Sequence, residues 1–155
     1  MLIDSLLKEK PYNRLGENDF LFAMREAVNY HSKNSKHFRK FLISKKFDPK
    51  ADYNIEEMPF LPVAIFKELE LITGKPNQIK KRVFSSSTTS NKPSTVCLDQ
   101  ITIDRQRIAL SQILANFLDN KRRVFIVFDS PEVIRASNAE LSSRGSAIRG
   151  MLLLA

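Results

Sequence analysis

The residues with the clearest chemical potential form the run Phe84-Ser85-Ser86-Ser87-Thr88-Thr89-Ser90-Asn91-Lys92-Pro93-Ser94. Six consecutive hydroxyl residues, Ser85 to Ser90, are poor core material. Residues 79–84 before them and 94–98 after them read as strands, so the run is a hairpin-like connection between two extended segments. A loop of this kind can offer backbone N–H and hydroxyl donors to a phosphate. The competing reading is a hairpin tip whose Ser and Thr satisfy only local backbone groups.

Other reactive side chains are sparse. Arg144 and Arg149 stand five apart among small residues, and Gly145 and Gly150 would permit a close approach to a phosphate or carboxylate. Their alternative role is to solubilise a helix. Lys67 in Phe66-Lys67-Glu68 is a candidate anion contact, or an exposed helix lysine beside an acid. His31 and His37 have no carboxylate or cysteine at metal-ligand spacing and read as structural or exposed. Cys97, between Val96 and Leu98 in a predicted strand, reads as a small buried hydrophobe rather than an acyl-accepting nucleophile. No residue is assigned a catalytic role, and no metal site is expected.

The hydroxyl run resembles the phosphate-binding loop of adenylate-forming enzymes, Ser-Ser-Gly-Thr-Thr-Gly followed by Pro and often Lys. Ser87 and Ser90 occupy the two glycine positions and put a Cβ where those enzymes have none. Ser94 follows Pro93 where many relatives have Lys, and Lys92 lies two residues earlier. Three further segments narrow the likeness. Met58-Pro59-Phe60-Leu61-Pro62-Val63-Ala64-Ile65-Phe66-Lys67-Glu68, Phe128-Asp129-Ser130-Pro131 and Ser142-Ser143-Arg144-Gly145-Ser146-Ala147-Ile148-Arg149-Gly150 are similar, in the same order, to the acyl-protein synthetase (LuxE-type) family.

That resemblance implies a defined chemistry. ATP with Mg²⁺ would activate a carboxylic acid, a fatty acid included, as an acyl-adenylate, and the acyl group would pass to a thiol or an acyl-accepting protein. In the luciferase system this family feeds a reductase that makes the aldehyde. The implied nucleotide contacts are Ser85, Ser86, Ser87, Thr88, Thr89, Ser90 and Lys92, with Arg144, Arg149 and Lys67 as further candidates for the phosphate or the acid. Family enzymes are more than twice as long, and their aromatic-Gly-x-Thr-Glu segment, ribose-binding Asp and lysine-bearing C-terminal domain have no counterpart here. The expectation is therefore an N-terminal, truncated portion, inactive alone as a ligase. The alternative is a non-catalytic interaction domain derived from the same scaffold.

Composition sets the remaining bounds. With 155 residues, 43% of them apolar, the chain is the size of one domain with a modest core. No apolar run approaches the roughly 20 residues of a membrane-spanning helix, and Asp4 and Lys8 interrupt the start where a signal peptide would be apolar. A cytoplasmic location is expected. One cysteine allows no internal disulfide. The net charge of +8 is concentrated in residues 33–50, where Lys33, Lys36, Arg39, Lys40, Lys45, Lys46 and Lys50 face a single acid, Asp48. A nucleic-acid or anionic-surface patch has the right sign. A solvated helix face with Phe38, Phe41 and Leu42 turned inward is the preferred reading, because no nucleic-acid motif accompanies the charge. The oligomeric state stays open, a homo-oligomer among the alternatives.

These residues need a scaffold, and the periodicities supply one. Phe20, Ala23, Met24, Ala27, Val28 and His31 recur at helical spacing, predicting an amphipathic helix over 18–32 after Gly16. A second helix is predicted over 35–46, stopped by Asp48-Pro49. Pro59 and Pro62 forbid a continuous helix but allow a short one over 63–69, and 69–72 is a weak strand candidate. After the two strands around the hydroxyl run, Thr102 can cap a helix with Asp104 in its first turn and Leu110, Ile113, Leu114, Phe117 and Leu118 as its buried stripe. Residues 123–128 are apolar enough to be a central strand covered on both faces. The predicted class is α/β: a helical N-terminal segment, 1–50, then part of an adenylate-forming-enzyme mixed sheet with flanking helices, 51–155, in one compact unit. Both suggestive loops, after 84 and after 128, then follow the carboxyl ends of strands, where α/β proteins place ligands.

Overall fold

The computed structural model describes residues 1–12, 16–85, 92–119, 121–122, 124–135 and 140–152. The expected α/β class with a helical amino-terminal segment holds. Helices α1 (Leu2–Leu6), α2 (Glu17–Asn34) and α3 (Lys36–Ser44) come first, and a short α4 (Ile65–Glu68) follows. Strands β1 (Ile79–Phe84) and β2 (Thr95–Asp99) lead into α5 (Gln100–Leu118), and α6 (Pro131–Arg135), β3 (Glu140–Ser142) and α7 (Ser143–Met151) complete the order.

Helix α2 begins with Glu17 and Asp19 in its first turn, where the positive end of the helix dipole favours acids. Ser35 closes α2 and opens α3: its N–H donates to His31 O at 2.8 Å, and its Oγ accepts from Phe38 N at 3.4 Å. The end of α3 falls at Ser44, ahead of the expected Asp48-Pro49 stop, because Lys46 turns into the left-handed region at φ 53°. Phe47 N–H then donates to Leu42 O and Lys46 N–H to Ile43 O, both at 3.0 Å, which satisfies the last carbonyls in a Schellman closure. Leu42 is only 2% exposed, Phe38 and Phe41 are half-buried, and the lysines of this basic segment lie at the surface. Arg25 of α2 fixes the next stretch: Nε donates to Tyr53 O at 3.1 Å, the guanidinium sits 5.0 Å from the Tyr53 ring centroid, and Asp52 pairs with it at 2.5 Å.

The sheet is mixed, in the order β2-β1-β3. β1 and β2 pair antiparallel with Arg82 opposite Cys97 and Phe84 opposite Thr95, and a bulge falls between Ile79 and Lys81. β3 runs parallel to β1, placing Ser142 beside Phe84. Asp99, not Thr102, caps α5: its Oδ1 accepts from Thr102 N at 2.8 Å, so the helix starts two residues before the expected cap. Helix α7 lies close against α5, where a Cβ on Gly150 would stand 2.3 Å from Leu110 Cδ2. Arg105 ties α1 to α5 through Asp4, with Nε–Oδ1 at 2.8 Å.

Three sequence expectations are corrected. Residues 124–128 form no strand: Val124 is 94% and Phe128 95% exposed, and no sheet neighbour lies on either side among the described residues. Apolarity favours burial, but a strand also needs a ladder to join, and the parallel place beside β1 is taken by Glu140–Ser142. Residues 69–72 belong to no strand and join no sheet among the described residues. The stripe of α5 is only partly covered: Leu110, Leu114 and Leu118 are half-buried, while Ile113 and Phe117 remain exposed, Phe117 against the Tyr12 ring at 5.9 Å.

Candidate functional site at the carboxyl edge of the sheet

Two chain reversals meet where β1 and β3 end. Because Phe84 and Ser142 are register partners in a parallel pair, the residue that opens the hydroxyl run and the residue that opens α7 leave the sheet side by side. The neck of the run is closed by a two-bond clasp: Ser85 N donates to Ser94 O at 3.1 Å, and Ser94 N donates to Ser85 Oγ at 3.3 Å. Lys92, at the exit, pairs with Glu68 Oε2 at 2.9 Å and so fastens the hairpin to the end of α4, the helix that carries half-buried Lys67. Ser86, Ser87, Thr88, Thr89 and Ser90 lie outside the described residues.

On the other side of this edge, Ser142 caps α7 by accepting from Gly145 N at 3.0 Å, and Gly145 is buried. Arg144 reaches outward to Asp129, Nε–Oδ2 3.1 Å. Arg149 turns toward α6 and donates to the carbonyl of Ile134, from Nε at 2.9 Å and from its terminal nitrogen as well. The arginine pair therefore does not converge on one point. Lys81 of β1 extends beneath α7, where Nζ donates to Ser146 Oγ at 2.8 Å. Burial, and then the positive charge of Arg149, hold its ammonium below the ordinary lysine range. Lysine and hydroxyl donors around a strand edge beside a helix amino terminus suit an anion.

A family model described as "Acyl-protein synthetase, LuxE" matches residues 7–155. The chain belongs to the acyl-protein synthetase (LuxE) family. No curated protein and no solved structure matches it.

The segments that resemble the acyl-protein synthetases in sequence are neighbours in space. The 58–68 segment meets the hydroxyl run through Glu68 and Lys92. The 128–131 segment meets the 142–150 segment through Asp129 and Arg144. Lys81 and Ser146 join β1, which leads into the run, to α7. Sequence reasoning named Lys67, Lys92, Arg144 and Arg149 but passed over Lys81 and Ser146. The available signal was the strand period of two, which places Lys81 on the same face as Val83 and opposite Arg82.

The remaining reactive groups lie elsewhere. Cys97 is half-buried, and its Sγ donates to Glu70 Oε1 at 3.1 Å. Burial first, then this bond and the Glu70 charge, push its thiol up to about 11. The same carboxylate oxygen pairs with Arg82 Nε at 2.7 Å, and the guanidinium holds Glu70 below the usual carboxylate range. Glu70 therefore stays ionised and Cys97 stays a thiol. His31 bonds Thr73 Oγ1 through Nδ1 at 2.8 Å and packs edge-on to Phe38, and burial lowers its pKa. Among the described residues no group of three or more His, Cys, Asp or Glu side chains could hold a metal ion. No helix among them is long and apolar enough to cross a membrane.

Proposed function

We propose that this chain carries the nucleotide-binding part of an ATP-dependent acyl-protein synthetase. The reaction converts a carboxylic acid, a long-chain fatty acid in the luciferase-linked members, to an acyl-adenylate and passes the acyl group to a thiol. The observation that carries this reading is the parallel pairing of Phe84 with Ser142, which roots the hydroxyl run beside the first turn of α7.

In this reading a carboxylate oxygen attacks the α-phosphorus, pyrophosphate leaves, and the acceptor thiol then displaces AMP from the acyl carbon. The barrier is lowered by orientation and by neutralising phosphate charge, so donors matter more than a nucleophilic side chain. Ser85, Ser86, Ser87, Thr88, Thr89, Ser90 and Lys92 would supply them, with Lys67, Arg144 and Arg149 as candidates for the phosphate or the acid. Cys97 is not assigned as the acceptor, because its thiol is held protonated beside a carboxylate. The described residues form no carboxylate cage for Mg²⁺. The ion would enter already bound to the triphosphate, as Mg²⁺ commonly does in nucleotide sites. Residues 1–50 would serve as a helical support for the 51–155 unit.

Titration calorimetry with ATP and Mg²⁺ tests this reading. Binding by the unsubstituted chain that is lost when Ser86, Thr88 and Thr89 are together changed to Ala is the expected result. Unchanged binding in that variant would remove the nucleotide role from the hydroxyl run. The exposed apolar stretch from Val124 to Phe128 favours a second reading, a non-catalytic interaction domain. That reading expects no ATP binding together with retained association with a partner.

A further inference from the structure

The basic segment 33–50 keeps its charge unpaired. Lys33, Lys36, Lys40, Lys45, Lys46 and Lys50 are exposed, and among the described residues none of them forms an ion pair. Asp48, the acid of this segment, is engaged locally, its Oδ1 accepting from Lys50 N at 2.9 Å. Asp52, the next acid along the chain, pairs with Arg25. Solvent screening tolerates such a cluster, and a partner of opposite charge relieves its mutual repulsion.

A cavity of about 300 Å³ opens in this segment, between the end of α2 and α3. Leu42, Ile43, Phe47 and Pro49 line it with apolar surface, and Lys33 and Arg39 contribute cations. Its shape is set by the chain. Lys46, at φ 53°, reverses the backbone after α3, and the bond from Phe47 N–H to Leu42 O at 3.0 Å brings Phe47 back beside the helix end. The Tyr53 ring braces Phe47 at 4.7 Å. Arg39 ties α3 to the last turn of α2, Nε donating to Ser32 O at 2.8 Å and a terminal nitrogen to Lys33 O, and among the described residues no carboxylate takes up its charge. The walls are thus preformed, which lowers the cost of binding.

Ile43 is 69% exposed. A lone exposed isoleucine is ordinary, but this one continues an apolar cavity and shares a helix face with Lys36 and Lys40. A solvated helix face accounts for the lysines and leaves the cavity without a role. The volume lies at the low end for ligand pockets and suits one side chain better than a cofactor. Nucleic acid would meet the charge, yet Phe38 and Phe41 are half-buried and pack on each other at 6.2 Å instead of being presented to bases. A bilayer surface is too flat to fill a concave site. We propose that the groove between α2 and α3 docks an acidic segment of a partner protein, with one apolar side chain of that segment entering the cavity against Leu42, Ile43 and Phe47 and its carboxylates meeting the surrounding lysines. None of these residues belongs to the sheet, α4 or α7, and the docking role holds whether or not the hydroxyl run binds a nucleotide.

Fluorescence anisotropy on the unsubstituted chain tests the proposal, with a labelled peptide carrying one Leu between two runs of Glu as the probe. The controls are the same peptide with Ser in place of Leu, a thymidine oligonucleotide of equal charge, and phosphatidylserine vesicles. The expected result is binding at least tenfold tighter for the Leu peptide than for any control, weakening steeply as salt rises, with NMR amide shifts confined to residues 32–50. Equal binding of the Leu and Ser peptides reduces the site to bulk charge and overturns the proposal. Tighter binding of the oligonucleotide or of the vesicles also overturns it and reassigns the patch to that partner. No peptide binding at millimolar concentration, or shifts centred outside 32–50, overturns it as well. Ile43→Asp, at an exposed side chain, is expected to weaken the Leu peptide tenfold or more with an unchanged circular dichroism spectrum. Lys36→Gln combined with Lys40→Gln should weaken it several-fold and flatten the salt dependence. Equal affinity in Ile43→Asp overturns the seat assigned to the apolar side chain, and the comparison of peptides on the unsubstituted chain holds however the variants fold.

Discussion

Glu70→Gln should raise the alkylation rate of Cys97, and the size of the change follows from what surrounds the sulfur. The Cys97 thiol stands at about 11 against an ordinary 9.0, with burial as the first cause and the Glu70 hydrogen bond and charge next. A rise of two units lowers the thiolate fraction at neutral pH about a hundredfold. A more basic thiolate is intrinsically a better nucleophile, and a Brønsted slope of about 0.4–0.5 returns roughly tenfold of that loss. The net expectation is alkylation about tenfold slower in the folded chain than in the urea-unfolded chain, before shielding of the half-buried sulfur slows it further. Glutamine at position 70 removes the anion and leaves burial, the largest cause, in place. The Arg82 charge, which already acts to stabilise the thiolate, would then act unopposed. The rate should therefore recover several-fold without reaching the unfolded value. Iodoacetamide labelling at pH 8 with mass-spectrometric readout, folded against unfolded, measures each ratio. Labelling of the native chain as fast as the unfolded chain would refute the argument and return Cys97 to consideration as an acyl acceptor.

Three further expectations follow from the packing. Asp4, held down to about 2 first by its Arg105 bond and then by the amino terminus, titrates near 3.9 in an unfolded chain. The α1–α5 tie therefore contributes fully above about pH 4 and is lost as the pH falls through about 2. Acid unfolding of Asp4→Asn should show a shallower pH dependence in that window, and an identical profile would remove Asp4 from the account. Leu42→Ala, at the most deeply buried apolar residue of α3, should cost about 2 to 4 kcal/mol by urea denaturation. A loss below about 1 kcal/mol would mean that the α2–α3 contact does not depend on that side chain. Phe128→Asp, at a side chain 95% exposed, should reduce binding of a hydrophobic dye and leave the stability measured by urea denaturation within about 0.5 kcal/mol of the parent. A large loss of stability there would show that Phe128 is covered in solution.

The site was legible in part. Helical periodicity located α2 and α3 to within a few residues, since Val28 and Leu42 fall where a 3.6-residue repeat turns inward. The hairpin around the hydroxyl run was legible from its turn-forming residues flanked by two extended, apolar-rich segments. The rest of the site depended on pairings between distant segments. Glu140–Ser142 is too short to announce itself as a strand, yet it is the parallel neighbour of β1. Residues 124–128 are far more strand-like and join nothing described.

What the chain determined by itself was local: where helices start and stop, which loop is rich in donors, and the ordered segments that mark an acyl-protein synthetase. Tertiary structure alone decided that Phe84 and Ser142 leave the sheet together, that Lys81 reaches Ser146 across 65 positions, and that the Glu70 carboxylate meets the thiol of Cys97. The physical reason is range. Caps, turns and amphipathic stripes are settled within a few residues, whereas strand register and the meeting of charges are settled by whichever distant segments satisfy each other's hydrogen bonds.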